Sequence, residues 1–432
     1  MSMLKNSEKS NQLLLFLFIA FEAFISLFRN IDLIIHARFW AEDGKICFAE
    51  AYNYYQNWLE PFTHTYSGYL ITYPRIIALI TQFFPLVQAC NIFILSFFII
   101  KLMPPLIIIS NRFNGIISST TMKMLIISYY WFMPNSYEVF LNLTNAQWYL
   151  ALVGLLIIIA KPSTNKAWQI FDLVMLMLSG LTGPFSLFLI PIILLKYFKL
   201  DLINRQIKIQ EKISLLYLSI ALFCSFLQLY CVAKYMPSSH LVTVNKIFPI
   251  LTKALAGQIF IGSILGIKGV SLFYIEYSKH LLFPVIFTII GCSILIYTLV
   301  TGPWPLKYYL LYTYLMLTGC FYRSFQTADI RGFESLAEPL NAIRYYFLPS
   351  IGYVISLGYF INKITYKKIN RIIFPLFLLA ILLGMYKDFY NPKQTSLNYP
   401  ELITNFLKVK DGTICKIPIN PDCWYMTLIK HP

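Results

Sequence analysis

The chain has 432 residues, of which 58% are hydrophobic and 12% are charged. Soluble domains usually carry about twice that charged fraction, so the composition excludes an assembly of ordinary soluble domains. The formal net charge is +16, but the Lys and Arg residues lie mainly in short stretches between apolar runs. That distribution is typical of loops that set membrane topology, and it argues against a nucleic-acid partner. Many apolar runs reach the roughly 20 residues needed to cross a bilayer, which predicts an all-α polytopic integral membrane protein.

The first apolar run, 13–28, follows the basic residues Lys5 and Lys9 and lacks a small-residue cleavage site. It predicts an uncleaved first span with a cytoplasmic N-terminus. The chain from 29 to 85 would then form the first outer loop.

Two amphipathic helices are predicted in this loop. After Asp43, apolar side chains recur at three-to-four spacing, at Phe48, Tyr52, Tyr55 and Leu59. This pattern predicts a helix that lies flat on the membrane and ends at Pro61. A second short helix is predicted over 74–84.

The remaining apolar runs predict the rest of about eleven spans. They are 86–110, 116–134, 146–160, two halves of 168–198, 214–234, 281–301, 308–322, 345–360 and 372–386. Pro104 and Pro105 should kink their span or end it early. The Ser-Gly-Leu-Thr-Gly-Pro sequence at 179–184 should divide 168–198 at a tight outer turn.

Basic residues orient these spans. The stretch 199–212 is strongly basic and is predicted to be cytoplasmic, whereas 235–280 is predicted to be an outer segment. Residues 1–386 would form the transmembrane domain, with 387–432 as a small C-terminal tail on the outer side.

Two adjacent acids, Glu42 and Asp43, follow the first span in a chain that has few acids. Asp43 could be the N-cap of the helix that follows, but that role does not explain Glu42. Phe39 and Trp40 should desolvate both carboxylates, and each acid has a like-charged neighbour. Both effects raise the pKa of a carboxyl group, which suits a general base.

Several cations on the predicted outer side could bind a phosphate. Arg344 lies at the start of an inward-going span, where its guanidinium could hold a phosphate bidentately or could instead anchor the span at the interface. Arg331 and Arg323 are weaker candidates for the same phosphate contact. Arg75 lies on the outer side against the positive-inside trend, although a turn with interfacial aromatics also explains its segment.

The tail combines cysteine, proline and aromatic residues. Cys415 and Cys423 are eight positions apart and could form a disulfide in an oxidising compartment. Trp424 and Tyr425 could stack on a sugar, or could simply dock the tail as a rigid cap. The His residues are scattered without ligand spacing, so neither a metal nor a cofactor is expected.

A family resemblance is carried by FWAEDG at 39–44 with Phe48, then by GYL at 68–70 and by Pro74-Arg75. This pattern resembles the first outer loop of bacterial GT-C-type membrane glycosyltransferases. It is most similar to prophage-type, serotype-converting O-antigen glucosyltransferases. Later stretches of the chain also resemble blocks of this group, in the same order. They are 180–185, 344–347 and 417–421 with Trp424.

The resemblance implies a GT-C-like fold in the bacterial inner membrane, with its active site facing the periplasm. It implies inverting transfer of a hexose, glucose in this family, from an undecaprenyl-phosphate-linked donor to a lipid-linked O-antigen acceptor. The partners would be these two substrates, membrane lipids, a donor synthase and a donor flippase.

The resemblance also implies roles for individual residues. In GT-C enzymes an acid of the first outer loop acts at the reacting centre, usually within an Asp-Glu pair. Here the order is Glu-Asp, so either Glu42 or Asp43 could take that role. Donor phosphate would be held by the cations Arg344, Arg75 and Arg331, and sugar would be contacted by Tyr345 and Trp424.

Three alternatives stay open. A flippase or exporter of lipid-linked glycan would place charges along a pathway within the spans and show repeat symmetry, and neither is evident in the sequence. An O-antigen polymerase would carry its large outer loop late in the chain. A non-catalytic membrane scaffold would tolerate replacement of Glu42 and Asp43 by amides.

Overall fold

The computed structural model is mainly helical. It describes residues 2–201, 206–209, 211–235, 244–277, 280–327, 330–364, 367–392 and 395–432. Within these ranges six helices are long and apolar enough to cross a membrane: Asn11–Ile35, Leu86–Ile109, Ile213–Lys234, Ile247–Glu276, Leu282–Thr301 and Asn370–Lys387. The prediction of a helical, membrane-embedded chain is therefore confirmed. The count of about eleven spans is finer than this finding and stays a prediction.

The helices follow one another along the whole chain. Those of the first half are α1 (Ser2–Leu27), α2 (Ile31–Ile35), α3 (Ala49–Asn53), α4 (Thr72–Thr81), α5 (Ala89–Ile109), α6 (Thr120–Phe132), α7 (Ala146–Ile159), α8 (Lys166–Leu181) and α9 (Ser186–Tyr197). Those of the second half are α10 (Ile213–Lys234), α11 (Val244–Ala254), α12 (Gly262–Leu272), α13 (Leu282–Thr301), α14 (Trp304–Thr327), α15 (Ile330–Glu334), α16 (Ile343–Ile364), α17 (Lys367–Lys387) and α18 (Tyr399–Leu407). Wider π-helical turns occur at Asp43–Phe48, Leu255–Ile261 and Phe273–Tyr277.

Two antiparallel hairpins complete the described fold. The basic stretch after α9 pairs β1 (Phe198–Asp201) with β2 (Gln206–Ile209). The C-terminal tail pairs β3 (Ile414–Ile419) with β4 (Trp424–Ile429). Alternate residues of β3 and β4 are buried, as expected for a hairpin with one face packed on the protein.

The predicted break in the long apolar run 168–198 is confirmed. Helix α8 ends at Leu181 and α9 begins at Ser186. Gly183, between them, has φ of +100°, and a Cβ there would lie 2.7 Å from the Phe185 ring. Only glycine fits this turn without strain, so local turn chemistry determines where the run divides.

The predicted amphipathic helix of the first outer loop is wrong in its length and surroundings. The helical stretch that begins at Asp43 ends at Asn53, and Phe48 and Tyr52 are buried in the protein core. Only Tyr55 and Leu59, beyond the helix, are exposed. Side chains from distant segments cover the apolar face that was expected to meet lipid.

The structure bears on two further predictions. Of the two outcomes predicted for Pro104 and Pro105, an early end of α5 is wrong, because both prolines are buried inside a helix that continues to Ile109. Neighbouring elements in membrane proteins can satisfy the backbone groups that proline frees. The segment 235–280, predicted to be an outer segment, contains Ile247–Glu276, which is long enough to cross. Its helix is broken at Gly266, where φ is +72°.

Helix α7 forms the centre of the fold. Every residue of α7 is buried, and it packs against α5 and α8. The loop that leads into it, residues 133–145, is forced into unusual backbone shapes, with positive φ at Asn135 and Leu141. The N–H of Asn135 donates to Asp388 at 2.8 Å, so tertiary contacts hold this loop in place. Residues of this loop form part of the candidate functional site.

Candidate functional site

The chain turns sharply just before the two acids. Ala41 has φ of +38°, and Trp40 pairs with Asn420 of the C-terminal hairpin. The π-helical turn Asp43–Phe48 follows at once. Gly44 is required there, because a Cβ would lie 2.8 Å from the Cβ of Phe39. Such wide turns occur frequently at functional sites, since they redirect side chains.

Asp43 is buried and fully engaged by the loop before α7. Its carboxylate accepts hydrogen bonds from the backbone N–H of Leu143 at 2.8 Å and of Thr144 at 2.7 Å. The Thr144 hydroxyl donates a third, at 2.6 Å. The interpretation of Asp43 as a helix N-cap is wrong, because these donors lie a hundred residues later in the chain. Asp43 joins the first outer loop to the loop 133–145.

The environment of Asp43 changes its acidity. Burial raises the pKa of Asp43 from its ordinary value of 3.8 to about 7, while the three donors to its carboxylate oppose the rise. The negative charge of Glu42 adds to it. The predicted rise in pKa is therefore present in Asp43, which is the more deeply buried of the two acids.

Stability should depend on pH through Asp43. Because its folded pKa lies above its unfolded pKa, the folded state retains a proton that the unfolded state releases between about pH 4 and pH 7. The contribution is complete below pH 4 and is lost as pH rises through 7. We expect the thermal midpoint of the detergent-solubilised protein to fall more steeply over this window in wild type than in Asp43→Asn.

The matched control for that measurement is Asp411→Asn. Asp411 is exposed and pairs with Lys430 at 3.1 Å on the far end of the C-terminal hairpin. This variant should keep the wild-type slope. Parallel slopes for wild type and Asp43→Asn would contradict the assignment of the titration to Asp43.

Glu42 has a different environment from its neighbour. It is half-buried, and its Oε1 accepts a hydrogen bond of 2.5 Å from the Tyr66 hydroxyl. Within the described chain no other hydrogen bond to this carboxylate is formed, so Oε2 has no partner there. The structure thus separates the pair into a buried Asp43 that positions the loop and a reachable Glu42.

A tight turn holds Tyr66 against Glu42. Tyr66 and Tyr69 exchange two backbone hydrogen bonds, of 2.8 and 3.0 Å, and Gly68 between them has φ of +86°. A Cβ on Gly68 would lie 2.9 Å from Tyr235, so glycine is needed for this packing. The backbone carbonyl of Ser67 accepts a hydrogen bond from Arg323 at 3.2 Å.

The same two tyrosines connect Glu42 to Arg344. Burial raises the pKa of both Tyr66 and Tyr69. In each case the charge of Glu42 raises the pKa further and the charge of Arg344 lowers it. Both charges must therefore lie within electrostatic range of one tyrosine pair. Two residues that are distant in the sequence therefore influence the acidity of one tyrosine pair.

Arg344 forms an ion pair that the sequence did not predict. Its guanidinium donates to Glu138, and its backbone N–H donates to the other oxygen of the same carboxylate at 3.0 Å. The guanidinium also lies over the Tyr345 ring, with 4.9 Å from Cζ to the ring centroid. The signal for Glu138 was an acid between the predicted spans 116–134 and 146–160 of an acid-poor chain.

A polar cleft opens beside this ion pair. It has a volume of about 350 Å³, and its wall includes Glu138, Ser324, Ser335, Asn341, Arg344 and Tyr345. Arg331 is exposed on α15, next to the cleft residue Gly332. Tyr345 packs edge-on to Trp148, with ring centroids 5.7 Å apart. Arg344, Tyr345 and the segment that carries Arg331 therefore meet at one place.

Arg75 has another role in the structure. It is buried, and its Nη1 donates to Glu50 at 2.5 Å. Glu50 also bonds to Nδ1 of His64 at 3.0 Å. Within the described chain Nε and Nη2 of Arg75 form no hydrogen bond, so the predicted phosphate contact of Arg75 stays a prediction. The ion pair with Glu50 stabilises the first outer loop.

The C-terminal hairpin docks beside the acid pair. The backbone N–H of Ala41 donates to the carbonyl of Asn420, and the N–H of Asn420 donates to Phe39 at 3.1 Å. The ammonium of Lys45 lies 4.9 Å from the Trp424 ring centroid. Trp424 also lines a shallow pocket of about 290 Å³ on the hairpin. The tail is therefore docked against the first outer loop.

The possible disulfide in that tail is not formed. Cys415 and Cys423 are both free thiols. Cys415 pairs with Leu428 near the start of β3, whereas Cys423 lies in the turn next to Trp424. Four strand residues separate Cys415 from the end of β3, roughly 13 Å at 3.3 Å per residue, which is too far for a disulfide.

A comparison of the chain with protein-family models found no match, and neither did a comparison with curated proteins. The resemblance to GT-C glycosyltransferases therefore stays a hypothesis. Function is inferred below from the chemistry and geometry of the site residues.

Proposed function

We propose that the protein is a GT-C-type glycosyltransferase of the bacterial inner membrane, with about eleven spans and a periplasmic active site. It transfers a hexose, glucose by family resemblance, from undecaprenyl phosphate to lipid-linked O-antigen. The observation that carries the proposal is the half-buried Glu42, with one oxygen unoccupied, sharing the Tyr66–Tyr69 pair with Arg344. A base and a phosphate-binding cation are the groups that this reaction requires.

The reaction is a single displacement. A hydroxyl of the acceptor sugar attacks the anomeric carbon of the donor, and the bond between that carbon and the phosphate oxygen breaks. Glu42 takes the hydroxyl proton as the new glycosidic bond forms. The phosphate leaves with the bonding electron pair, and Arg344 stabilises the charge that develops on it. One displacement inverts the anomeric centre.

The remaining residues position these two groups. Asp43 fixes the π-helical turn against Leu143 and Thr144, and so sets where Glu42 points. Tyr345 lies beneath the Arg344 guanidinium and offers an aromatic face to the donor sugar. Trp424 offers a second aromatic face on the acceptor side, next to the acid pair.

A flippase or exporter of lipid-linked glycan is the second candidate, and one observation favours it. Glu22 and Lys101 are buried inside candidate spans, and Oε2 of Glu22 has no hydrogen-bond partner in the described chain. Ionisable residues at such depth are frequently part of a transport pathway. An O-antigen polymerase has no comparable observation in its favour.

The test is the composition of the cell-surface polysaccharide, measured by mass and linkage analysis with and without the gene. A glycosyltransferase should add one hexose to each repeat unit and leave the polymer length unchanged. Loss of the whole polymer without the gene would instead indicate a flippase or a polymerase. An unchanged mass and linkage pattern would contradict the proposed activity.

A further inference from the structure

We propose that Glu138 occupies the phosphate site of Arg344 until a lipid-linked phosphate displaces it. This inference rests on the proposed function, because it assigns a further residue to the same donor site. Glu138 would act as a resident anion that the donor phosphate replaces and that returns when the product leaves.

The donors around Glu138 match those of a phosphate site. One carboxylate receives both the guanidinium of Arg344 and its backbone N–H, at the first turn of α16. A guanidinium together with a backbone N–H at a helix start is an arrangement that also binds phosphate oxygens. The same donors can therefore hold either anion, but not both at once.

The position of the ion pair allows an exchange. Arg344 is 36% exposed and Glu138 is 12% exposed, and both face the polar cleft of about 350 Å³. Asn341 lies on the same wall, and its amide has two N–H groups, one of which donates to Glu338 at 2.8 Å. A phosphate entering the cleft reaches Arg344 from its open side.

The loop that carries Glu138 can stay in place during the exchange. The Glu138 backbone carbonyl accepts hydrogen bonds from the side chains of Asn142, at 2.6 Å, and Asn145, at 2.9 Å. Within the described chain, the Glu138 carboxylate is held by Arg344 alone. A rotation of one side chain thus releases the site without disturbing Leu143 and Thr144, which hold Asp43.

Glu138 competes with the donor phosphate for Arg344, but its presence also has two advantages. A partly buried guanidinium without an anion would be unfavourable. Glu138 neutralises Arg344 while the site is empty. It also competes with the leaving lipid phosphate, which favours product release.

The experiment measures binding of undecaprenyl phosphate to the purified full-length protein in detergent, by native mass spectrometry. Glu138→Gln removes the charge and keeps the size of the side chain, so it should bind undecaprenyl phosphate about tenfold more tightly than wild type. Affinity for the neutral alcohol undecaprenol should not change. Glu401→Gln, an exposed glutamate at the start of α18, is the matched control and should bind like wild type.

Unchanged or weaker binding by Glu138→Gln would overturn the inference, because a residue that only positions Arg344 would cost affinity when removed. Glu138→Ala gives a second reading and should also tighten binding, with the fold of each variant checked by size-exclusion chromatography. An equal gain in affinity for undecaprenol would mean that the variant acts on binding of the lipid tail. That result would also overturn the inference.

The two proposals can fail separately. Suppose that Glu138→Gln binds undecaprenyl phosphate more tightly but the wild-type protein adds no hexose to the surface polysaccharide. That result would retain the anion exchange and reject the transferase. Hexose addition with unaltered binding by Glu138→Gln would retain the transferase and reject the exchange.

Discussion

Glu42→Gln should lower the rate of hexose transfer by a factor of about 10² to 10⁴, the usual contribution of a positioned general base. Gln has the size of Glu and still accepts the hydrogen bond from Tyr66, so the variant should fold and reach the membrane normally. What it loses is the ability to take a proton from the attacking hydroxyl. The measurement is the initial rate of transfer by purified protein at saturating donor, normalised to folded protein.

Glu60→Gln is the matched control for this prediction. Glu60 belongs to the same outer loop and is partly exposed, and it accepts a hydrogen bond from the side chain of Asn57 at 3.1 Å. Its replacement should leave the rate unchanged. A loss of less than tenfold in Glu42→Gln, with the control unaffected, would remove Glu42 from the role of base.

Asp43→Asn should behave differently from Glu42→Gln, although the two residues are neighbours. Three hydrogen-bond donors face the Asp43 carboxylate. The Asn amide would place N–H groups, which are also donors, opposite some of them. A buried mismatch of this kind costs roughly 1–3 kcal/mol. The expected effect is less folded protein rather than a slower chemical step for each folded molecule.

Local sequence patterns predicted much of the helical architecture. The apolar run 146–160 became α7, and 214–234 became α10, because run length alone determines these elements. The division of 168–198 followed from a turn sequence whose glycine requirement is local. Predictions of this kind succeed where neighbours in sequence decide the conformation.

The errors came from contacts between distant segments. Helical periodicity after Asp43 was real, but Phe48 and Tyr52 pack inside the protein instead of meeting lipid. The role of Asp43 depends on Thr144, and the role of Arg344 depends on Glu138. No spacing in the sequence shows these pairs, because the fold alone brings their segments together.

The loop 133–145 connects the two halves of the candidate site. At one end Glu138 pairs with Arg344, and at the other Leu143 and Thr144 hold Asp43. Its backbone carries positive φ at Asn135 and Leu141, which tertiary contacts must maintain. The geometry between the proposed base and the proposed phosphate site therefore depends on one loop that leads into the fully buried α7.

Arg344→Ala should lower the rate of hexose transfer by a factor of about 10² to 10³, the range observed when a group that stabilises transition-state charge is removed. The loss should fall mainly on kcat, because charge on the departing phosphate is greatest in the transition state. Arg344→Lys should recover part of the rate, since it restores the charge without the bidentate geometry. Initial rates at varied donor concentration separate kcat from KM.

Removing Arg344 alone leaves Glu138 buried without its partner, so a rate loss could reflect local misfolding. The double variant Arg344→Ala/Glu138→Gln removes both charges and should stay as slow as Arg344→Ala while matching wild type in thermal stability. Arg371→Ala, an exposed arginine on α17, controls for loss of a surface cation and should keep the wild-type rate. Recovery of activity in the double variant would show that the guanidinium is needed only to balance Glu138, and that it does not act on the phosphate.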